Sequence, residues 1–427
     1  MQEQLVPRPF DQNLQPVTSA GMSCCADVFN QVQNFERKYE TRKRARKKKD
    51  QQIFQQTVYC IVSNLVIAEL KFQERGIRIT RSHGTLGKRD RYRAPVLGKT
   101  FPYVIDVMNE PEMGLLKQKK AEPSVDDTRH QSIIFPTVRI DTRINELDLS
   151  VHDFGPSDLS EVIILKGKKE DYFDKVGYAS YEDTPDTVRM REEMVLLNDW
   201  LSHMDIQLVS SDPYYQKEIK YIQIHNRKLR RFFTRGDRSF KSGGRLFGGF
   251  WLDMNKAMRR NTIYLDEENT CTLDYKNMAP RILYGLAEAE IDQDDAYTIR
   301  GYEAYRSGIK TVFNTMINKN GPLSKFPKGV KKEFERNHTI QWVSDAIRKR
   351  HKPIAKFLDT EIGHAIQKIE SDIIVKCMLL CKERDIPVLP IHDALLFPFD
   401  KETEGREIMK RVFKEYTGIE GIINKEE

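Results

Sequence analysis

Residues 261–283 read NTIYLDEENTCTLDYKNMAPRIL. Two β-like runs flank the polar group Asp266-Glu267-Glu268-Asn269, the pattern of a hairpin, and helical spacing takes over shortly after Lys276. Asp274 therefore closes the second strand, just before a helix starts. A carboxylate in that position is well placed to hold a cation. One carboxylate binds magnesium poorly, however, so a partner has to be found elsewhere in the chain.

The candidate lies in IPVLPIHDALLFPF, residues 386–399, where two apolar runs flank His392 and Asp393. The stretch reads as strand, tight turn, strand, with Asp393 at the tip. A charge in so apolar a setting is costly unless it is exposed or coordinated, although a turn that favours aspartate would explain it equally well. Pro387 and Pro390 restrict the first strand to a sheet edge or a bulge. A third element is RGYEAYRSGIKTVFNTMINKNG, residues 300–321, in which Arg306, Lys310, Asn314 and Asn318 fall four apart on one helix face. Two cations a turn apart repel mildly and gain when a polyanion such as a triphosphate lies above them. Two strand-borne aspartates and a cationic helix together fit phosphoryl transfer through two metal ions.

The remaining composition narrows the class. The chain has 427 residues and a net charge of +7, enough for two or three domains and compatible with polyanionic partners. Its six cysteines form no C-x-x-C pair, so neither a zinc site nor a disulfide framework is indicated. No apolar run approaches the length needed to span a bilayer and no signal-peptide pattern opens the chain, so a cytoplasmic protein without a membrane partner is expected.

Four regions are predicted. Residues 1–50 read as a mobile N-terminal segment ending in TRKRARKKKD, residues 41–50, of which seven are Lys or Arg. That run is either a solvated helix face or a phosphate-contacting arm. Residues 51–155 give helix, basic loops, helix and short strands, an order that resembles a winged-helix DNA-binding module. Residues 156–235 read as a helical connector or reduced thumb, with a helix start at Thr184-Pro185. Residues 236–427 carry the motifs above. Across the last boundary, residues 225–251 interleave eight Lys or Arg with Phe232, Phe233, Phe240 and Phe247 and with glycine pairs. This is read as a nucleic-acid surface in preference to a hairpin whose phenylalanines are core, because paired glycines suit close approach.

In order along the chain, SGGRLFG, NKAMRRNTIYLDEENTCTLDYKNMAPRIL, DDAYTI, RSGIKTVFNTMIN, AIQKIESDIIVKCML and PIHDALLF resemble the successive motifs of the palm and fingers of family A (Pol I-like) DNA polymerases, relatives of phage-type single-subunit RNA polymerases. The resemblance covers about residues 243–397. It implies an α+β fold: a palm with an antiparallel sheet and helical fingers, preceded by the small helical, winged-helix-like domain.

The resemblance also implies roles. Asp274, Asp393 and the Tyr275 carbonyl would hold two Mg²⁺ ions, with Mn²⁺ as a substitute. One ion would activate a primer 3′-hydroxyl and the other would hold the triphosphate. Arg306 and Lys310 would grip the nucleotide, with Asn314, Asn318 and Ala279 beside its sugar. Arg245, Gln367, His392 and Arg281 would contact nucleic acid, His392 orienting the primer terminus. The chain departs from the family at Ala279, where a glutamate normally excludes a ribose 2′-hydroxyl, at Asn314 and Asn318 in place of aromatics, and at Ala394 after Asp393. The expected function is template-directed DNA polymerisation from dNTPs on primer-template, without a proofreading exonuclease. The rivals are a primase or RNA polymerase using rNTPs, and a catalytically inactive DNA-binding replication initiator or regulator.

Overall fold

The computed structural model describes residues 7–72, 75–87, 91–121, 131–157, 161–167, 177–234, 239–292 and 295–426. The fold is α+β and divides into two compact units. Unit 1 comprises Met1–Glu161, Ser210–Lys228 and Gly249–Asp253, and unit 2 comprises Val162–Val209, Leu229–Gly248 and Met254–Glu427.

Unit 1 opens with strands β1 (Arg8–Pro9) and β2 (Leu14–Pro16), followed by helices α1 (Ser19–Lys38) and α2 (Lys48–Lys71). Next come β3 (Ile77–Ile79), α3 (His83–Leu86), α4 (Phe101–Asn109), β4 (Leu116–Lys119), β5 (Ser132–Pro136), α5 (Val138–Glu146) and β6 (Phe154–Pro156). The main sheet has the order β1-β3-β5-β4, with β1 parallel to β3 and the other pairs antiparallel. Of the residues 1–50 expected to be a mobile segment, 1–6 lie outside the described residues, and much of the rest is packed. Thr18 caps α1 by accepting from the Gly21 N–H, and Cys24, Cys25, Val28, Phe29 and Val32 bury one face against the unit's core. The stretch is polar on average, yet its few apolar residues share one side.

Two further expectations for this unit change. Helix α2 is long and apolar enough, by length and composition, to cross a membrane, which the sequence reading overlooked; 67% of its apolar window is buried inside the fold. Its buried Asn64 is satisfied: Nδ2 donates to the Asp11 and Cys60 carbonyls at 2.8 and 2.9 Å, and Oδ1 accepts from the Asp11 N–H. Neither helix supplies the recognition face that a winged helix needs. Half of α2 is buried, between Phe54 and Ala68, while α4 carries no Lys or Arg and buries six of its nine residues. The residues between β4 and β5, where a wing would lie, include 122–130, which fall outside the described residues.

Unit 2 begins with β7 (Ile163–Leu165), α6 (Pro185–His203) and β8 (Ile206–Leu208); helix α7 (Pro213–Ile219) belongs to unit 1. Then follow β9 (Arg230–Phe233), β10 (Gly243–Phe247), α8 (Lys256–Thr262), β11 (Ile263–Leu265), β12 (Glu268–Tyr275), α9 (Met278–Leu286), α10 (Arg306–Asn318) and α11 (Ile340–Arg350). The chain closes with α12 (Gly363–Glu383), β13 (Leu389–Ile391), β14 (Ala394–Pro398), α13 (Glu402–Thr417) and β15 (Ile423–Lys425). One sheet runs β10-β9-β7. The other runs β13-β14-β12-β11-β8, with β15 also pairing β12. The region expected to be a separate connector is thus shared between the units: Val162–Val209 and the stretch from Leu229 are built into unit 2, where β8 pairs with β11 and β7 with β9, and Ser210–Lys228 belongs to unit 1.

Local chemistry explains the key elements. Thr184 and Thr187 form a capping box at the start of α6, with Pro185 in its first turn. Asp266 and Glu267 both take positive φ, as a two-residue type I′ turn requires, and tie β11 to β12. Pro390 lies in β13, the edge strand, as its missing N–H demands.

Candidate active site

Strand register brings the two aspartates together. In the β12–β14 ladder Asp274 pairs with Ala394, so Asp393, in the two-residue turn before β14, stands one step beyond it. His392 supplies the turn with a positive φ of 58°. Asp274 and Asp393 line one cleft of about 410 Å³, and Tyr275 borders it as well. Tyr275 offers only its backbone there, because its buried hydroxyl donates to the Met409 carbonyl at 2.9 Å. On the other edge of β12, Glu426 N–H donates to Thr272 and Lys276 N–H to the Ile422 carbonyl. The alternation of an antiparallel ladder then turns the Tyr275 peptide groups toward the β14 side, opposite Asp393.

The Asp274 carboxyl pKa is pushed up to about 7, first by burial and then by the negative charges of Asp393 and Glu426, against weaker pulls from the Tyr275 backbone N–H and then Lys310. Among the described residues neither aspartate makes an ion pair. Two converging carboxylates without a protein counter-charge are the donor set a hard divalent cation fits. No group of three or more His, Cys, Asp or Glu placed to hold one metal ion occurs among the described residues, so such an ion would complete its shell with backbone oxygen, water and phosphate, as magnesium does in nucleotide enzymes.

Helix α10 supplies another wall of the same cleft, with Arg306, Lys310, Asn314 and Asn318 all lining it. The two cations differ. Arg306 is tied to Asp295 at 2.7 Å, whereas Lys310 makes no ion pair among the described residues and stands 5.6 Å from the Tyr297 ring centroid. Ala279, in the first turn of α9, borders the cleft, and Gly363 lets the start of α12 approach the Asn318 side chain at the end of α10.

Helix α12 and strand β10 add Gln367 and Arg245. Arg245 Nη2 reaches Glu370 Oε2 at 3.0 Å. Glu370 is 7% exposed, and burial pushes its carboxyl up even beside that guanidinium. His392 packs edge-on against Phe247, and burial with the nearby Arg245 charge lowers its pKa.

Arg281 does not fit its expected role. It is 1% exposed inside α9, and Nη1 donates to the Glu420 carbonyl at 3.1 Å, so it cannot contact a nucleic acid. The reading of residues 225–251 also changes. Gly243 and Gly244 take φ of +82° and +90° at a bulge between β9 and β10. A Cβ on Gly244 would meet Phe233, Lys368 and Ser371, and one on Gly243 would meet Phe232 and Thr234, so the close approach these glycines allow is to the protein's own α12 and β9. Phe233 and Phe240 are core, and Arg231 is buried against Asp372 and the Gly244 carbonyl. Residues 235–238 of that stretch lie outside the described residues, as does Asp294 of DDAYTI.

Sequence reasoning missed Glu370, Tyr297, Lys276 and Asn424, all of which line the cleft. Glu370 carried a usable signal, since it follows Gln367 by three residues on one helix. Asn424 carried none: it reaches the site only because β15 pairs with Asp274.

No known protein family matches the sequence, and no curated protein does. Among solved structures, the POL domain of Pol1 from M. smegmatis, in complex with DNA primer-template and dNTP, is similar at 12% identity and a TM-score of 0.30, over 56% of this chain and 50% of that one. This chain thus spans half the length of that structure, and a likeness so slight assigns no activity.

Proposed function

We propose that this chain is a template-directed nucleotidyltransferase, a nucleic-acid polymerase, whose reaction takes place in the cleft between β12, the β13–β14 turn, α10 and α12. The carrying observation is that Asp274 and Asp393, 119 residues apart in sequence, line one cleft with Lys310, which makes no ion pair among the described residues. In this reading Asp274, Asp393 and the Tyr275 carbonyl hold divalent cations. When bound, such ions supply Lewis-acid charge to the attacking and leaving oxygens of an in-line displacement.

The chain's own side chains do the rest. Lys310 binds the triphosphate as a free point charge, while Arg306 has first to exchange Asp295 for phosphate. Arg245, held by Glu370, and Gln367 face the end of the primer-template, and the neutral His392 positions the primer terminus without adding charge. Ala279, Asn314 and Asn318 border the sugar.

A second reading, ribonucleotide use as in a primase or RNA polymerase, is favoured by Ala279: the side chain there is a methyl group, with no carboxylate to oppose a 2′-hydroxyl. Purified chain given primed and unprimed templates, Mg²⁺, and either dNTPs or rNTPs tests both. Extension that needs template and metal supports the proposal, and the preferred triphosphate decides the sugar. No incorporation with either set contradicts it.

A further inference from the structure

Seven Lys and Arg residues fall between Arg42 and Lys49, and unit 1 treats one of them differently from the other six. The Arg46 side chain is 7% exposed and reaches both Glu36 carboxylate oxygens, at 2.7 and 2.5 Å. Its guanidinium lies 3.4 Å from the Phe54 ring centroid. A shielded, bidentate and stacked pair holds one geometry. Arg46 is therefore the bolt that fixes this loop between α1 and α2, and it is not free to contact a ligand. The other six cations are exposed and make no ion pair among the described residues.

Three of them stand where a helix least favours positive charge. Lys47 is the N-cap of α2 and contributes no side-chain hydrogen bond, and Lys48 and Lys49 open a helix of 24 residues. They face its unsatisfied N–H groups and the positive end of its dipole, with Asp50 the acid in that first turn. The neighbouring acids are Glu36, already taken by Arg46, and Glu40. The surface is concave, an open recess of about 870 Å³ bordered by Arg37, Glu40 and residues 42–46. Like charges crowded on a pinned loop repel in the free protein. The same crowding becomes favourable when it neutralises phosphates and releases their counterions.

We propose that residues 42–49 form a docking surface for nucleic acid that grips the phosphate backbone without regard to sequence. The exposed side chains of residues 42–50 include no large apolar group that could insert into a bilayer, which favours nucleic acid over an anionic membrane. This surface contains none of the cleft residues, so it goes beyond nucleotidyl transfer and does not depend on it.

The test is the affinity of the full chain for a labelled duplex of arbitrary sequence, without nucleotide or divalent cation, by fluorescence anisotropy from about 50 to about 300 mM salt. Replacing the six exposed cations together with serine (Arg42→Ser, Lys43→Ser, Arg44→Ser, Lys47→Ser, Lys48→Ser, Lys49→Ser) is expected to weaken binding at least ~30-fold at low salt and to reduce the log–log salt slope by about 3 to 5. An unchanged melting temperature shows that the variant folds. Glu36→Gln, which frees Arg46 and adds positive charge, is expected to weaken binding several-fold, because the loop loses its fixed shape. An unchanged slope in the sixfold variant, equal or tighter binding by Glu36→Gln, or wild-type binding to phosphatidylserine vesicles or polyglutamate as tight as to the duplex would each overturn the proposal. A chain that binds in this way but never extends a primer counts against the cleft reading alone.

Discussion

At the residue scale, the cleft sets three acids, Asp274, Asp393 and Glu370, against four bases, Arg245, Lys276, Arg306 and Lys310. Pairing is unequal: Arg245 has Glu370 and Arg306 has Asp295, whereas Lys276, Lys310 and the two aspartates make no ion pair among the described residues. Lys310→Ala is expected to raise the nucleotide KM and lower kcat/KM by roughly 10- to 100-fold, the worth of one charge-assisted contact, with Arg306→Ala costing less; steady-state kinetics on a fixed primer-template checks the order. Glu370→Gln loosens Arg245. It is expected to raise the KM for primer-template several-fold while the KM for nucleotide holds, and an equal rise in both would contradict the pairing. The sequence made the two aspartates and the α10 face legible because strand ends and fourfold spacing are local signals. It misjudged Arg281, since a helical arginine looks the same whether it faces solvent or, as here, the Glu420 carbonyl in the interior. Glu370 went unread because its carboxylate matters only through Arg245, 125 residues earlier in the chain.

At the element scale, glycines and a buried histidine hold the site's supports in place. Gly244→Ala forces a side chain into φ +90° and brings a Cβ to 3.1 Å from Phe233, so a loss of about 1–3 kcal/mol is expected in urea unfolding, with β10 displaced from α12. His351, just after α11, is buried. Nε2 donates to the Ala296 carbonyl at 2.7 Å, Nδ1 accepts from the Tyr284 hydroxyl at 3.2 Å, and burial lowers its pKa, with the Ala296 hydrogen bond opposing, Arg350 lowering it further and Asp292 also opposing. Its unfolded value is about 6.5, so below that pH the unfolded chain takes up the proton first. The stabilisation is full above about pH 6.5 and is lost as pH falls toward the depressed folded value. Stability measured from pH 7.5 down to 5 (about the range where histidine titrates) is expected to fall in wild type and to fall less steeply in His351→Gln. Hairpins and capped helices were legible at this scale because turns and caps have their own chemistry. Helix α1 was not, because its apolar residues are too few to mark a polar stretch as core, and the glycine pair misled because close approach to a helix and to a ligand ask the same of a backbone.

At the scale of the whole molecule, the chain interleaves its two units, entering unit 2 at Val162 and passing through unit 1 again at Ser210–Lys228 and Gly249–Asp253. Composition shifts could not reveal this, since a boundary crossed several times leaves no linker to read. The α+β class was legible from alternating strand and helix signals, whereas the winged-helix reading failed on α4, whose spacing was right but whose surface carries no basic residue. The account's central claim is that Asp274 and Asp393 act as one unit that performs nucleotidyl transfer. Single-turnover primer extension with Mg²⁺ tests it most directly, comparing Asp274→Asn, Asp393→Asn and the double variant. Each single change is expected to lower the rate about a hundredfold or more and the double to be no worse than either, because residues that act together are not additive. Extension at the wild-type rate by either single variant, or losses that multiply in the double, would contradict the account.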